Sequence, residues 1–315
     1  FRSPNHIRKL QSHHFWMGCS LRCSVVNALT VDVEDYFHVQ AFANVIRPED
    51  WPAYLNPVKR NTRRLLHLFQ EYQVRATFFV LGWVARHCPA LVREIYSAGH
   101  EIGSHGYGHQ MINRGSRKDF RDDVRLSKAV IEDQIGREIR CFRAPSYSIT
   151  SRTLWALEIL KQEGIQCDSS IFPIVHDYYG IPNSPRFPHY KSLDCGGRIA
   201  EFPPSTLRAC GANFPVGGGG YLRLLPYRLT AWAIRRINEK EDQPAMVYLH
   251  PWEIDPEQPR IPSPWRSRFR HYQNLHSTEE KLVRLLQDFA WAPMSEVLSS
   301  SLADANLNNE VGNGL

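Results

Sequence analysis

Two histidines spaced four residues apart are the feature of this sequence best suited to chemistry. His105 and His109 enclose a Gly-Tyr-Gly segment, and glycine lets a loop fold back so that both imidazoles face one point. Two histidines and one carboxylate form a common catalytic zinc set, which leaves one position open for water. Histidine pairs also occur on solvated loops, so this pair needs a nearby carboxylate before it indicates a metal site.

An acidic cluster earlier in the chain supplies such a carboxylate. Asp32, Glu34 and Asp35 follow an apolar run, and the alternation of an extended strand puts Asp32 and Glu34 on the same side. A carboxylate that binds a metal stays ionised, and its neighbour can then accept a proton from water. Taken alone, the cluster is equally well interpreted as acids that cap the end of a solvated strand.

Three further polar residues also come at the ends of apolar runs. Arg143 precedes an Ala-Pro-Ser-Tyr segment, and its guanidinium fork is suited to hold a catalytic base through a bidentate contact. His250 ends a very apolar run and is a candidate general acid. Asp168 ends a third run. A surface arginine before a turn and a hydrogen-bonded core histidine are the alternative interpretations of the first two residues.

The elements that must position these residues alternate between short β-like runs and amphipathic helical stretches. This pattern predicts an α/β fold with a parallel sheet. The predicted strands are 25–31, 76–80, 101–104, 139–142, 165–167, 199–202 and 246–249. The predicted helices are 58–72, 84–97, 117–135, 151–163, 227–239 and 278–290. Because the carboxyl ends of parallel strands converge in such folds, we expect the candidate residues to form a single metal-dependent site.

Local signals refine the ends of several elements. Ser116 is suited to cap the helix that starts at position 117, and Ser277 with Glu280 forms a capping-box pattern. The stretch Gly217–Gly220 fits neither the dinucleotide nor the P-loop spacing, which favours a tight or flexible turn over a phosphate cradle.

Composition narrows the class of protein. The chain has 315 residues, of which 43% are hydrophobic and 22% charged, which is typical of globular proteins. Its longest apolar runs have strand length, so we expect no transmembrane segment. The net charge of +6 suits an anionic or polymeric partner, but no recognised nucleic-acid motif accompanies it. Seven scattered cysteines and no recognisable secretory signal indicate reduced thiols and a cytoplasmic location.

Five motifs in a fixed order make the sequence resemble the polysaccharide deacetylase family, the NodB homology domain of carbohydrate esterase family four. They lie between Leu29 and Trp252 and read LTVDVED, SHGYGH, FRAPSY, DSSIF and LHPWE. The stretch from His250 to Tyr272 further resembles the exosortase-associated deacetylases of bacterial exopolysaccharide loci, which carry a C-terminal extension.

The resemblance implies a particular architecture. We expect an irregular (β/α) barrel of NodB type, with about seven parallel strands and a small C-terminal extension. The predicted parts are a poorly ordered extension over 1–27, the catalytic domain over 28–255, an extension packed on it over 256–300 and a disordered tail over 301–315.

The resemblance also implies the role of each candidate residue. The implied roles are metal binding by His105 and His109, general base for Asp32, proton donor to the leaving amine for His250, orientation of Asp32 by Arg143, and tuning of His250 by Asp168. Ser146, Tyr147 and Trp252 are expected to contact substrate, with a backbone N–H near Ser146 holding the oxyanion.

Two departures from the family pattern leave parts of this site open. The commonest first motif has two adjacent aspartates, whereas this chain has Asp-x-Glu-Asp. The third metal ligand is therefore Glu34 or Asp35. A strand face shared with Asp32 favours Glu34, and a turn after Glu34 would favour Asp35. The fourth motif lacks a tryptophan often found there, so one wall of the substrate pocket differs.

The implied reaction is metal-dependent hydrolysis of N-acetyl groups on hexosamine units. The expected substrate is an acetylated amino-sugar polymer or its lipid-linked precursor in bacterial exopolysaccharide biosynthesis. Zn²⁺ is the expected metal, although such a site also accepts Co²⁺ or another divalent ion. The alternatives are a related metal-dependent amidohydrolase acting on a small or cyclic amide, and a catalytically silent glycan-binding scaffold.

Overall fold

The computed structural model describes residues 25–39, 42–43, 45–54 and 56–312. Residues 1–24 of the predicted N-terminal extension lie outside the described residues. The strands are β1 (Val26–Val33), β2 (Thr77–Val80), β3 (Glu101–Ser104), β4 (Cys141–Phe142), β5 (Cys167–Asp168), β6 (His189–Ser192), β7 (Arg198–Glu201), β8 (Thr206–Ala209), β9 (Ala212–Pro215), β10 (Met246–Leu249) and β11 (Ala290–Ala292).

Helices surround these strands. They are α1 (Asn56–Glu71), α2 (Gly82–His87), α3 (Pro89–Ser97), α4 (Arg117–Ile135), α5 (Trp155–Gln162), α6 (Gly220–Leu224), α7 (Tyr227–Lys240), α8 (Trp265–Tyr272), α9 (Leu275–Asp288) and α10 (Met294–Gly312). Within the described residues, short 3-10 helices cover Pro48–Tyr54, Ile112–Arg114, Pro145–Tyr147 and Pro251–Ile254.

Nine of the strands form one sheet, in the order β10-β1-β2-β3-β4-β5-β7-β6 with β11 beside β1. All the pairings run parallel except that of β6 with β7. The sheet curls into a half-barrel with helices around it, which confirms the predicted (β/α) barrel class. The remaining strands, β8 and β9, form a separate antiparallel hairpin.

Strand β1 lies at the centre of this architecture. Seven of its eight residues are buried, as expected for a parallel strand that packs against side chains on both faces. It pairs with β10 on one edge and with β2 and β11 on the other. The residues that follow β1 and β10 are therefore held next to each other.

The four-glycine stretch closes the outer edge of β10. Gly217 O accepts a hydrogen bond from Tyr248 N at 2.7 Å, and Gly219 N donates to Tyr248 O at 3.0 Å. Gly218 has φ +138°, and a Cβ there would lie 1.9 Å from Tyr248 O. Only glycine permits this close approach, so the interpretation as a tight turn is confirmed.

The predicted helix boundaries agree in part. Ser116 caps α4 in a capping box with Asp119. The predicted helix 84–97 is divided in two, because Pro89 begins α3 and cannot continue α2. The predicted capping box at Ser277 is wrong. Helix α9 begins earlier, after Asn274, whose φ is 55°, and Ser277 Oγ donates to Asn274 O at 3.1 Å.

The C-terminal segment is joined to the central sheet. Strand β11 pairs with β1, and α10 contributes Met294, Val297 and Leu298 to a buried cluster that includes Phe79 of β2. Helix α10 continues to Gly312, across positions predicted to be a disordered tail. The polar composition of the tail predicted disorder. The helix forms because its first turns are buried, and extending a helix that has already started costs less than starting a new one. Among the described residues, none of the helices combines the length and apolar character needed to cross a bilayer.

Candidate active site

Four predicted site residues meet at the carboxyl ends of neighbouring strands. Asp32 lies near the end of β1, and His105, Arg143 and His250 directly follow β3, β4 and β10. The His250 Nε2 lies 3.8 Å from Asp32 Oδ2, although the two residues are far apart in the sequence. The expected convergence at one mouth of the sheet is present in the structure.

Glu34, His105 and His109 form a cluster of possible metal donors. One donor atom from each residue lies within 4.8 Å of the other two. The His109 Nε2 is 2.5 Å from Glu34 Oε2, and the His105 Nε2 is 4.0 Å from the same oxygen. One carboxylate oxygen and two imidazole nitrogens are a donor set typical of catalytic zinc, so these residues fit a divalent metal.

A backbone carbonyl orients the first of these histidines. The His105 Nδ1 lies 2.9 Å from Arg143 O, which favours a proton on Nδ1 and leaves Nε2 facing Glu34. Burial lowers the pKa of His105 to about 4, which keeps its imidazole neutral. Burial would raise the pKa of Glu34, but contact with His109 lowers it below the ordinary range. Deprotonated donors of this kind are what metal binding requires.

An aspartate on α4 shapes the loop that carries the histidines. The Asp123 carboxylate accepts hydrogen bonds from Tyr107 N at 2.7 Å and from Gly108 N at 2.9 Å. His109 then has φ 52°, a left-handed conformation in which its ring returns toward Glu34. Sequence reasoning missed Asp123. Its only signal was an acidic residue in the helix that follows the loop.

The alternative ligand, Asp35, lies outside the donor cluster. Its Oδ1 accepts a hydrogen bond from Tyr36 N at 2.8 Å, and its own N–H donates to His38 Nδ1 at 2.9 Å. Burial raises the pKa of Asp35 to about 7, so this carboxyl lacks the charge compensation given to Glu34. The geometry therefore favours Glu34 as the third donor.

Arg143 holds Asp32 inside the barrel. Its Nη1 donates to Asp32 Oδ1 at 2.7 Å and to Thr30 Oγ1 at 2.8 Å, and its Nη2 donates to Ser169 Oγ at 2.9 Å. The guanidinium is fully buried, 4.3 Å from the centre of the Phe79 ring. The predicted bidentate contact is replaced by a single one, because the guanidinium also donates to Thr30, Ser169 and Met246. One oxygen of Asp32 stays directed toward His250.

His250 lies between three carboxylates. Its Nε2 is 3.4 Å from Glu34 Oε1, in addition to the contact with Asp32, and its Nδ1 is 3.3 Å from Glu253 Oε2. Burial alone would lower the pKa of His250, but Glu253, Glu34 and Asp32 raise it to about 9. These carboxylates therefore favour the protonated imidazole, which is the form able to donate a proton.

Asp168 does not contact His250 in the structure, contrary to the role implied by the resemblance. Its carboxyl accepts hydrogen bonds from Ser170 Oγ at 2.6 Å and Ser170 N at 3.1 Å. Glu201 lies beside it on β7. Ser170 Oγ in turn accepts from Ala144 N at 2.8 Å, so Asp168 supports the turn after Arg143. Glu253 occupies the position that was expected for Asp168.

The three expected substrate contacts differ in their surroundings. Ser146 is half-buried and Tyr147 buried, with φ values of 54° and 51° that hold a tight turn beside Arg143. Trp252 is only 4% exposed. Its ring stacks on His250 at 5.1 Å and on His271 at 4.3 Å, which leaves neither face open to a sugar. The structure thus places Trp252 behind His250, because α8 covers its other face.

Comparison with protein-family models divides the chain in two. Residues 49–166 match the model described as polysaccharide deacetylase, and residues 169–299 match the one described as a domain of unknown function (DUF3473). The first match includes His105, His109 and Arg143, whereas His250 lies in the second.

Curated relatives resemble about a third of this chain. The chain is 30% identical over 98 residues to a peptidoglycan-N-acetylglucosamine deacetylase of Bacillus cereus, a match that covers 31% of this chain and 36% of that protein. It is 32% identical over 108 residues to a peptidoglycan deacetylase of Helicobacter pylori, covering 34% and 36% of the two chains. The match spans little more than a third of the length of either relative.

Solved structures are similar over most of the chain. A candidate polysaccharide deacetylase from Mycobacterium smegmatis superposes with a TM-score of 0.57 at 20% identity, covering 90% of this chain and 92% of that one. A second, from Pseudomonas aeruginosa PAO1, gives a TM-score of 0.58 at 14% identity, covering 88% and 90%. At this level of identity the likeness establishes a shared fold.

Proposed function

We propose that this chain, in which residues 49–166 match the polysaccharide deacetylase model and residues 169–299 match the DUF3473 model, hydrolyses N-acetyl groups on hexosamine units of a glycan. The observation that supports the proposal is that the Asp32 carboxylate, the His250 imidazole and a cluster of three possible metal donors lie together. Asp32 and Glu34 each lie within 4 Å of the His250 Nε2, and Glu34 also belongs to the donor cluster. A glycan-binding scaffold would have no use for this combination of groups.

Glu34, His105 and His109 are the proposed ligands of the metal. A divalent ion bound by them would polarise the acetyl carbonyl and lower the pKa of water at the site. Zn²⁺ is the proposed ion, and Co²⁺ or another divalent ion is an accepted substitute for such a donor set.

Asp32 is the proposed general base. Arg143 binds its Oδ1, so the carboxylate has one fixed orientation, and Oδ2 is available to accept the proton of the attacking water. The backbone N–H near Ser146 is the proposed donor to the oxyanion that forms at the acetyl carbon.

His250 is the proposed general acid. Its raised pKa keeps a proton on the imidazole until the C–N bond breaks, and that proton passes to the departing amine nitrogen. The products are acetate and a free amino sugar. The proton that Asp32 receives and the one that His250 donates balance over the complete reaction.

The proposed substrate is an acetylated amino-sugar polymer or its lipid-linked precursor in exopolysaccharide biosynthesis, handled in the cytoplasm. The names of the two curated relatives support an acetylated glycan substrate. The resemblance of the segment from His250 to Tyr272 to exopolysaccharide-locus deacetylases supports the pathway. The net charge of +6 would assist binding of an anionic polymer.

Acetate release from N-acetylglucosamine oligomers by the zinc-loaded protein tests the proposal. We expect release that both His105→Ala and Asp32→Asn abolish, whereas Glu94→Gln, which alters an exposed ion pair with Arg63, leaves it unchanged. If the wild-type protein binds one metal per chain but releases no acetate from any acetylated glycan, the deacetylase proposal is wrong. Activity on small or cyclic amides would then identify the alternative amidohydrolase.

A further inference from the structure

We infer that Arg223 and Glu253 are positioning residues that hold the imidazole of His250 toward the reacting amide. The inference rests on the proposed function, because it concerns how that site delivers its proton. It makes the segment from the four-glycine turn to α8 part of the catalytic apparatus. Both residues lie within the region that matches the domain of unknown function.

Glu253 uses both of its carboxylate oxygens. Its Oε2 lies 3.3 Å from His250 Nδ1 and also accepts the backbone N–H of His250 at 3.0 Å. Its Oε1 accepts a hydrogen bond from Arg223 Nε at 2.8 Å. Glu253 is fully buried, so each of these contacts acts in a medium of low dielectric. With Nδ1 directed at Glu253, the His250 Nε2 faces Asp32 and Glu34.

Arg223 links this carboxylate to the end of α8. The side chain is nearly fully buried, and its Nη1 donates to the carbonyl oxygens of Arg270 and His271. These carbonyls belong to the last turn of α8, where a helix leaves acceptors unsatisfied and carries partial negative charge. A planar guanidinium can donate to Glu253 and to the carbonyl oxygens of α8 at the same time, whereas the ammonium group of a lysine lacks this fork geometry.

Aromatic stacking further restricts the orientation of the His250 ring. Trp252 lies between His250 and His271, nearly parallel to both, with interplanar angles of 20° and 16°. The His271 Nε2 lies 2.7 Å from Gln258 Oε1, so this outer ring is itself held in place. The guanidinium carbon of Arg223 lies 5.0 Å from the centre of the Trp252 ring. His250 is therefore held at its Nδ1 edge and on one face.

The four-glycine turn explains how Arg223 reaches this position. Gly217 and Gly218 pack directly on the backbone of Tyr248 in β10, two residues before His250. Helix α6 begins immediately afterwards and carries Arg223 below the end of that strand. The four-glycine turn thus has a structural role although it lacks phosphate-binding spacing. Its glycines let the turn pack against the backbone of β10, and this packing brings Arg223 close to the support of His250.

The test compares an amide substrate with an activated ester on the full zinc-loaded chain. Departure of an amine requires a proton, whereas the phenolate of 4-nitrophenyl acetate leaves without one. We expect Glu253→Gln to lower kcat for acetate release from N-acetylglucosamine oligomers about 100-fold, and Arg223→Lys about 10-fold. For both variants we expect KM and the rate of ester hydrolysis to stay within about three-fold of wild type.

A double-mutant cycle separates positioning from general damage to the fold. If Glu253 acts through His250, then Glu253→Gln made in a His250→Gln background costs no further amide activity. Arg235→Lys is the matched control, since it alters a half-exposed ion pair with Asp288 and is expected to leave both substrates unaffected. Melting temperatures of all variants identify any that fail to fold.

Two outcomes overturn the inference. One is an equal loss of amide and ester hydrolysis in folded Glu253→Gln, and the other is a loss that persists undiminished in the His250→Gln background. Either result with an active wild-type enzyme leaves the proposed function intact. A wild-type protein that releases acetate from neither substrate would instead contradict the proposed function itself, and this inference with it.

Discussion

The candidate site has two parts that are built in different ways. The proposed metal side consists of Glu34, His105 and His109, and the proposed acid side consists of His250 and the residues that support it. Glu34 follows β1, and the two histidines share one short loop after β3, with β2 between the two strands. His250 depends on Glu253, on Arg223 and on the end of α8, which reaches it from a separate helical segment. The metal side is thus made mostly by local chain geometry, and the acid side by packing of distant segments.

This difference coincides with the two matched regions of the chain. The histidines lie in the region that matches polysaccharide deacetylases, and the supports of His250 lie in the region that matches DUF3473. Asp32 and Glu34 precede both matches but lie in β1 or directly after it, between the two sides. We therefore expect the second region to be needed for the proposed transfer of a proton to the leaving group.

Among changes to the metal side, substitution of the Glu34 carboxylate is expected to have the largest effect. We expect Glu34→Gln to weaken zinc binding at least about 100-fold and to remove activity with it, because an amide oxygen lacks the charge of the ligand. Asp35→Asn is the matched change and should leave zinc affinity within about three-fold of wild type. Isothermal titration with zinc measures both, and a greater loss from Asp35→Asn would reverse the assignment of the ligand.

A smaller loss of zinc affinity is expected when Asp123, which supports the histidine loop, is changed. Asp123→Asn removes the charge that accepts the N–H groups of Tyr107 and Gly108, so the loop should hold His109 less firmly. We expect zinc affinity to fall about 10-fold, as for other groups that orient ligands indirectly. The neighbouring substitution Asp122→Asn, in an exposed ion pair with Lys118, is the control. An unchanged affinity in Asp123→Asn would show that the loop is held by other contacts.

The pH dependence of kcat tests the acid side of the site. The proposed general acid, His250, would have to be protonated to act, so kcat should be constant near neutrality and fall as pH rises through its pKa of about 9. In Glu253→Gln the burial of the ring is no longer opposed by that carboxylate, and the fall should move to lower pH. Zinc affinity at neutral pH should stay within about three-fold of wild type. An alkaline limb at the same pH in both proteins would contradict the contribution of Glu253.

The smallest effect concerns stability alone and lies away from both sides. Ser116→Ala removes the cap of α4, in which Ser116 Oγ accepts the N–H of Asp119 at 3.2 Å. We expect the free energy of unfolding to fall by about 1 kcal/mol, with kcat and zinc affinity unchanged. Urea denaturation measures this change. A loss of activity at temperatures where the variant is folded would indicate that α4 has a larger influence on the histidine loop.

Several elements of the fold could be predicted because their signals are local. Strands β3 and β10 and helix α4 have the predicted bounds, since apolar runs and a capping serine depend on neighbouring residues only. Helix α8, the hairpin β8–β9 and strand β11 were not predicted. Helix α8 is short and rich in charge, and β11 has only three residues, so their stability comes from the surfaces on which they pack.

By itself the sequence determined the types of the reacting groups and the strand ends that carry them. Residue identity and position after apolar runs were enough to select Asp32, His105, His109, Arg143 and His250 as candidates, with Glu34 and Asp35 as alternative third donors. Only the tertiary structure decided that Glu34 and not Asp35 joins the donors, and that Glu253 and not Asp168 accompanies His250. Both choices depend on how the chain turns after β1 and after β10, and local periodicity does not specify the geometry of these turns.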